Sequence, residues 1–198
     1  MKKILLLLSS LFFLNSPAVF ADHFANFQVV DISLGDSLLE FMSEDEILEG
    51  IEKHKDLNRY SYLSEPNKFL EIIVPRKKNI YDKASVFIKN TIPNNYTIYA
   101  IRGYKDYIED FDACIKQRDT IAKIITDMFV DLKTDESIEE NNQGINDYFS
   151  LGDLNATIDV YCQDLEETYR LKNNFTEGLV FAIHNEEFRK WRLDSKNE

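Results

Sequence analysis

The sequence predicts an α+β fold: an antiparallel sheet of about five to six strands with one long helix packed on it and shorter N- and C-terminal helices. Three observations carry this expectation. Residues 59–105 hold consecutive segments rich in β-branched and aromatic side chains, joined by links too short for a helical crossover. Residues 108–132 repeat apolar side chains at helical spacing, with charged residues opposite. Hydrophobic residues make up 44% of the 198-residue chain and aromatics 13%, enough to fill one real core.

The elements follow in chain order. Residues 1–21, MKKILLLLSSLFFLNSPAVFA, combine Lys2 and Lys3, an apolar run from Ile4 to Leu14, and Val19 and Ala21 at the small-residue positions before a cut. That pattern reads as a secretory signal peptide, and the run is shorter than the ~20 residues of a membrane span. Cleavage after Ala21 leaves residues 22–198, expected to form a single α+β domain with 21 bases, 35 acids and a formal charge of −14. A short two-lysine signal on a chain rich in Lys, Asn, Ile, Phe and Tyr looks bacterial. The expected location is therefore the periplasm, or secretion, with no membrane span in the mature chain.

Asn26–Ile32 is a short extended candidate. Ser43 and Glu46 have the spacing of a capping box for a helix running to about Lys53, with Ile47, Leu48 and Ile51 on its apolar side and His54 at its end. Phe69–Val74, Ile80–Lys89 and Tyr96–Tyr104 read as strands. In the second, Ala84, Val86 and Ile88 alternate with Lys83, Ser85 and Lys89, which predicts one solvated sheet face. The long helix is expected over Ile108–Leu132. Lys133–Asn155 is polar and acidic and reads as irregular, with a short helix after Ser137 as the other reading. Ala156–Gln163, Thr168–Lys172 and Leu179–Ile183 complete the strand candidates. Asn185–Leu193 reads as a closing helix anchored by Phe188 and Trp191.

Cys114 and Cys162 are the only thiols. In an oxidising compartment such a pair predicts one disulfide, here a staple between the apolar side of the long helix and that of a strand. The net charge of −12 argues against a nucleic-acid partner, which needs clustered Lys and Arg; Arg76-Lys77-Lys78 is too small a patch. His23, His54 and His184 have no partners at ligand spacing, and the acidic runs lack the EF-hand pattern. No metal or other cofactor is expected.

The strings Gly35-Asp36-Ser37-Leu38 and Gly144-Ile145-Asn146-Asp147 resemble two motif blocks of the GDSL, or SGNH, hydrolases, a family of exported esterases and lipases. The resemblance implies a parallel α/β sheet, Ser37 as nucleophile, Gly144 and Asn146 near the oxyanion, and His184 as base. The family's acid three positions before that histidine is replaced here by Phe181. The same residues also serve plain structural ends: Gly35 a turn, Asp36 or Ser37 a cap, Leu38 and Leu39 the core.

Without a complete catalytic set, the sequence favours a non-catalytic binding or protein-interaction module. Its expected partner is another envelope protein or a small ligand, and a GDSL-type serine esterase is the alternative. The aromatics Tyr60, Tyr62, Tyr81, Phe87, Tyr96, Tyr99, Tyr104 and Tyr107 admit two readings: an exposed sheet face that receives a partner, or a face covered by the early and C-terminal helices.

Overall fold

A computed structural model describes Val29, residues 31–57, Tyr60, residues 63–75, 81–91 and 95–173, Phe175 and residues 177–193. The expectations for residues 1–21, His23, Tyr62 and Arg76-Lys77-Lys78 lie outside these residues. Seven strands, β1 (Phe69–Ile73), β2 (Lys83–Lys89), β3 (Ile98–Asp106), β4 (Lys133–Asn141), β5 (Gly144–Gly152), β6 (Ala156–Leu165) and β7 (Gly178–Asn185), pair antiparallel in one sheet ordered β1-β2-β3-β7-β6-β5-β4. Four α-helices accompany it: α1 (Glu44–Leu57), α2 (Phe111–Met128), α3 (Glu167–Asn173) and α4 (Glu186–Leu193). The fold is thus mixed α and β with an antiparallel sheet, and it has seven strands where five or six were expected. No helix among the described residues is long and apolar enough to cross a membrane.

The extra strands come from the segment expected to be irregular. Lys133–Asn141 and Gly144–Gly152 form a long hairpin, in perfect register from Lys133–Gly152 to Asn141–Gly144. β4 lies at the sheet edge with every residue exposed, so no apolar alternation is written into it. In β5 the pattern is masked by Asp147, which lies on the apolar side and pairs with Arg118 of α2, and by Tyr148 on the other side. The Thr168–Lys172 strand is corrected to a helix: Glu166 Oε2 accepts the Tyr169 amide at 2.8 Å, capping α3. Of the early extended candidate, the described part is a single bridge between Val29 and Ile32.

One face of the sheet carries α2, and α1 packs along β1. Leu70, Val86, Ile101, Val160 and Ile183 meet Ile47, Ile51, Ala122 and Ile125 in the main core. Cys114 of α2 and Cys162 of β6 are disulfide-bonded there, so the helix is stapled to the sheet. The Ser43–Glu46 capping box is present, with the Ser43 amide donating to Glu46 Oε2 at 2.8 Å and the Glu46 amide to Ser43 Oγ at 3.4 Å. α1 runs on to Leu57, and His54 turns inward instead of ending it. Its Nδ1 accepts the Glu71 amide at 3.1 Å, satisfying a donor on the open edge of β1.

The other face carries α4. Phe188 and Trp191 pack with Tyr60, Leu63, Phe69, Phe87 and Ala100 in a second apolar cluster. This covers β2 on both sides, and Ser85 and Phe87 are fully buried there, so the expectation of one solvated face is wrong for this half of the sheet. The C-terminal helix does the covering, while α1 contributes its apolar side to the main core. Tyr81 and Tyr96 belong to the main core as well.

Gly103 of β3 marks a close approach, because a Cβ there would lie 2.7 Å from the Tyr81 ring. Gly103→Ala is expected to push that ring from its site and cost about 1–3 kcal/mol. Urea unfolding of the two proteins checks this, and equal midpoints would show that the ring yields freely.

Candidate functional site

Because side chains alternate along each strand, cross-strand register decides which polar groups of distant sequence share a row on the α4 face. One row runs Ser85, Arg102, Ala182, Asp159, Ser150, Asp135 across β2, β3, β7, β6, β5 and β4. A second runs Lys83, Tyr104, Val180, Tyr161, Tyr148, Ser137 across the same strands. The short side chains at the middle of the rows, Ala182 above all, leave room between Arg102 and Asp159. α4 roofs this space from one side and the β4–β5 hairpin extends it on the other. The result is a cavity of about 400 Å³ between α4 and the outer half of the sheet.

Its floor is polar and held in place. Asp159 accepts from Ser150 Oγ at 2.7 Å, and its other oxygen lies 2.7 Å from His184 Nε2. Toward β1, the buried Glu71 carboxylate accepts from Ser85 Oγ at 2.8 Å, Tyr60 Oη at 3.2 Å and Tyr104 Oη at 3.5 Å. Arg102 lies between these two carboxylate centres. It donates to Tyr60 Oη at 3.5 Å and rests over the Phe87 ring, with its guanidinium carbon 4.8 Å from the centroid. Tyr148 and Tyr161 pack together on the hairpin side, with ring centroids 4.6 Å apart.

The electrostatics follow from this burial. Burial first, then the Glu71 charge, pushes the Tyr104 hydroxyl up to about 12. Tyr148 and Tyr161 are also raised, chiefly by burial, so all three are hydroxyl donors at neutral pH. For Arg102, burial opposes the charge, but Tyr104, Tyr60, Tyr161 and Glu71 outweigh it and the guanidinium stays charged.

Asp159 shows the same contest with a different balance. Burial works to raise its carboxyl, yet the hydrogen bond and charge of His184, the Ser150 hydroxyl and the Arg102 charge prevail and hold it below the ordinary carboxylate value. A depressed folded pKa gives stability that is present above the unfolded value, near ~4, and is lost as pH falls through the folded one. Asp159→Asn is therefore expected to be less stable than the parent at neutral pH, with the gap narrowing toward pH about 3. Urea midpoints at both pH values measure it; a gap unchanged by acid would mean that ionisation of Asp159 contributes nothing.

The three residues of the hydrolase resemblance are not brought together. Ser37 bridges to Thr97, and His184 pairs with Ala100 three residues further along. Asn146 pairs with Gln163, whereas His184 pairs with Thr157, a displacement of six residues, or roughly 20 Å, in the opposite direction. The sheet is antiparallel throughout, not the parallel sheet the resemblance implies. Gly35 and Gly144 both adopt positive φ, at 87° and 137°, and a Cβ on Gly144 would strike the Asp164 carbonyl, so backbone geometry accounts for both motif glycines.

His184 does have an acid partner, Asp159, supplied by the neighbouring strand rather than by position 181. The arrangement is nevertheless the reverse of a nucleophile relay, in which the imidazole stands between acid and hydroxyl. Here Asp159 stands between Ser150 and His184, and the buried His184 Nδ1 has no hydrogen-bond partner. Among the described residues, no group of three His, Cys, Asp or Glu side chains is placed to hold a metal ion.

Sequence reasoning missed Arg102, Tyr148, Ser150, Asp159, Tyr161 and Arg192 as one set. They come from three strands and a helix, and only the register of the completed sheet gathers them. A partial signal existed in β6, where Asp159 and Tyr161 alternate with buried Ile158, Val160 and Cys162. No protein-family model, curated protein or solved structure matches this chain.

Proposed function

We propose that this chain is an exported, non-catalytic binding module, periplasmic in the cell, and that the cavity beneath α4 is its ligand chamber. The single observation carrying the reading is that cavity: enclosed on one side by α4, floored by side chains locked in cross-strand rows, and of a size suited to a small molecule. Its hydroxyl and imidazole groups are tied to carboxylates as a fixed recognition surface, with the Ser85 and Ser150 hydroxyls donated to Glu71 and Asp159. Export is supported by the signal-like residues 1–21 and by a buried disulfide of the kind that persists in oxidising compartments.

The test is an amide NMR titration of the oxidised protein, residues 22–198, with the small-molecule fraction of an envelope extract. Shifts concentrated at Tyr148, Ser150, Asp159, Tyr161 and Ala182 are expected. Shifts confined to other surfaces, or Ser37-dependent turnover of a short-chain nitrophenyl ester, would overturn the reading. Amino-terminal sequencing of the protein recovered from periplasm should begin at Asp22; recovery of the intact chain in the cytoplasm would remove the export half.

A further inference from the structure

We propose that the chamber selects a small organic anion, whose carboxylate or phosphate oxygens are held by Arg102 while its body lies against Tyr148 and Tyr161. The inference rests on the chamber being the ligand site and adds the charge and shape of what enters it.

The argument begins with a cation that lacks a usual partner. An arginine removed from water ordinarily pairs with a carboxylate, often through two parallel hydrogen bonds. Arg102 is half-buried, yet among the described residues no carboxylate lies within ion-pair distance of it. Its contacts are hydrogen bonds donated to the Tyr60 and Tyr104 hydroxyls and the faces of Phe87 and Phe188, at 4.8 and 6.0 Å from the ring centroids. Glu71 and Asp159 act on it as charges beyond ion-pair distance, and Asp159 already receives Ser150 and His184. The aromatic faces support the guanidinium without using up its N–H fork.

The chamber is the open space beside the guanidinium. Arg102 lines the cavity, and its cross-strand neighbour Ala182 provides no side chain long enough to fill the space beside it. Tyr148 and Tyr161, also in the lining, supply hydroxyl donors and apolar ring area. Arg192 of α4 acts electrostatically on both. Phe188 and Leu193 add apolar wall, which suits an anion with a flat hydrocarbon body better than a bare inorganic ion.

The rim sets the limit on charge. The rim is of mixed charge: Asp135 and Glu139 of the exposed strand β4 and Asp153 stand with Lys133, Arg189 and Arg192. A polyanion would meet carboxylates as well as cations along this rim, whereas a small anion with one charged group needs only Arg102. The acidic balance of the whole chain, 35 Asp and Glu against 23 Lys and Arg, acts in the same sense.

The experiment titrates the oxidised protein with benzoate, phenyl phosphate, benzamide and benzylamine, followed by NMR of backbone amides and of the Arg102 Nε–H. Benzoate or phenyl phosphate is expected to move Arg102 Nε–H and the Tyr148 and Tyr161 amides. The stronger of the two identifies carboxylate or phosphate as the preferred group. Benzamide and benzylamine are expected to bind about tenfold more weakly or worse, and Arg102→Met to lose about tenfold or more in anion affinity. The Nε–H signal of the unmodified protein decides the matter even where Arg102→Met does not fold.

Equal binding of benzamide or benzylamine in the chamber would overturn the anion assignment and leave the chamber standing as a site of other chemistry. Silence from all four probes would also overturn it, and the envelope-extract titration then judges the chamber independently. Anion binding that leaves Arg102 Nε–H unmoved would refute the role given to that residue.

Discussion

Replacing Trp191 with alanine is expected to destabilise the protein by about 3–5 kcal/mol, among the largest effects of any single truncation in this fold. Trp191 is 1% exposed and contacts three aromatic rings, those of Tyr60, Phe69 and Phe188, with centroids 5.2–5.3 Å away. Its indole N–H donates to the Glu65 carbonyl at 2.7 Å, tying α4 to the segment before β1. Alanine removes the ring volume, leaves the Glu65 carbonyl with only the Lys68 amide as donor, and loosens the helix that roofs the chamber. A lost binding response should accompany the lost stability. Trp191→Phe retains much of the ring contact and loses the hydrogen bond, so its expected cost is smaller, about 1–3 kcal/mol. Circular dichroism in urea is the appropriate measurement, because Trp191 is the sole tryptophan and its fluorescence leaves with it. A Trp191→Ala midpoint equal to that of the parent would refute the anchoring role.

Opening the Cys114–Cys162 bond is expected to cost about 4 kcal/mol, the chain-entropy value for a loop closed over a separation of 48 residues. Both sulfurs belong to fully buried residues, one on α2 and one on β6. The closed loop contains most of α2, the whole β4–β5 hairpin and the start of β6. Free of the bond, the denatured chain gains the entropy of that loop while the native packing of α2 has to stand alone. The Cys114→Ala, Cys162→Ala double variant and the oxidised parent should differ in urea midpoint in that direction. Equal midpoints, or two thiols alkylated in the folded, air-oxidised protein, would overturn the expectation. Slow reduction of the folded protein by thiol reagents should accompany the stability effect, since the buried sulfurs must first be exposed.

How legible all this was depended on where each residue's partners lie in the sequence. α2 was readable from Cys114, Ala122 and Ile125 at helical spacing, and β6 from the strict alternation of Ile158, Val160 and Cys162, because each pattern is written within one element. The pairing of the two cysteines followed from their number and apolar surroundings. β4 was not readable, because an edge strand exposed on both sides carries no burial pattern to detect. α3 was misread because Thr168, Tyr169 and Leu171 have strand-like composition, while the feature that starts the helix is one hydrogen bond from Glu166. The chamber was hidden for a different reason. Arg102 is separated by a long stretch of sequence from Ser150 and Asp159, which are nine residues apart, and its meeting with them depends on β7 entering between β3 and β6 in a particular register. His54 was misplaced for the same reason, its partner being an edge amide seventeen residues away.

The central position of β7 also bears on when the sheet can assemble. Strands β1 to β3 and β4 to β6 form two separate meanders, and neither borders the other until residues 178–185 enter between them. A chain threaded amino end first through a translocation channel would therefore have almost its entire length across before the sheet could become continuous. Under the export proposed above, that delay would keep the polypeptide passable during transit. It also makes the carboxyl end the trigger for folding: chains cut before Gly178 should emerge as two unjoined halves exposed to envelope proteases, whereas the full-length chain should acquire protease resistance in one step.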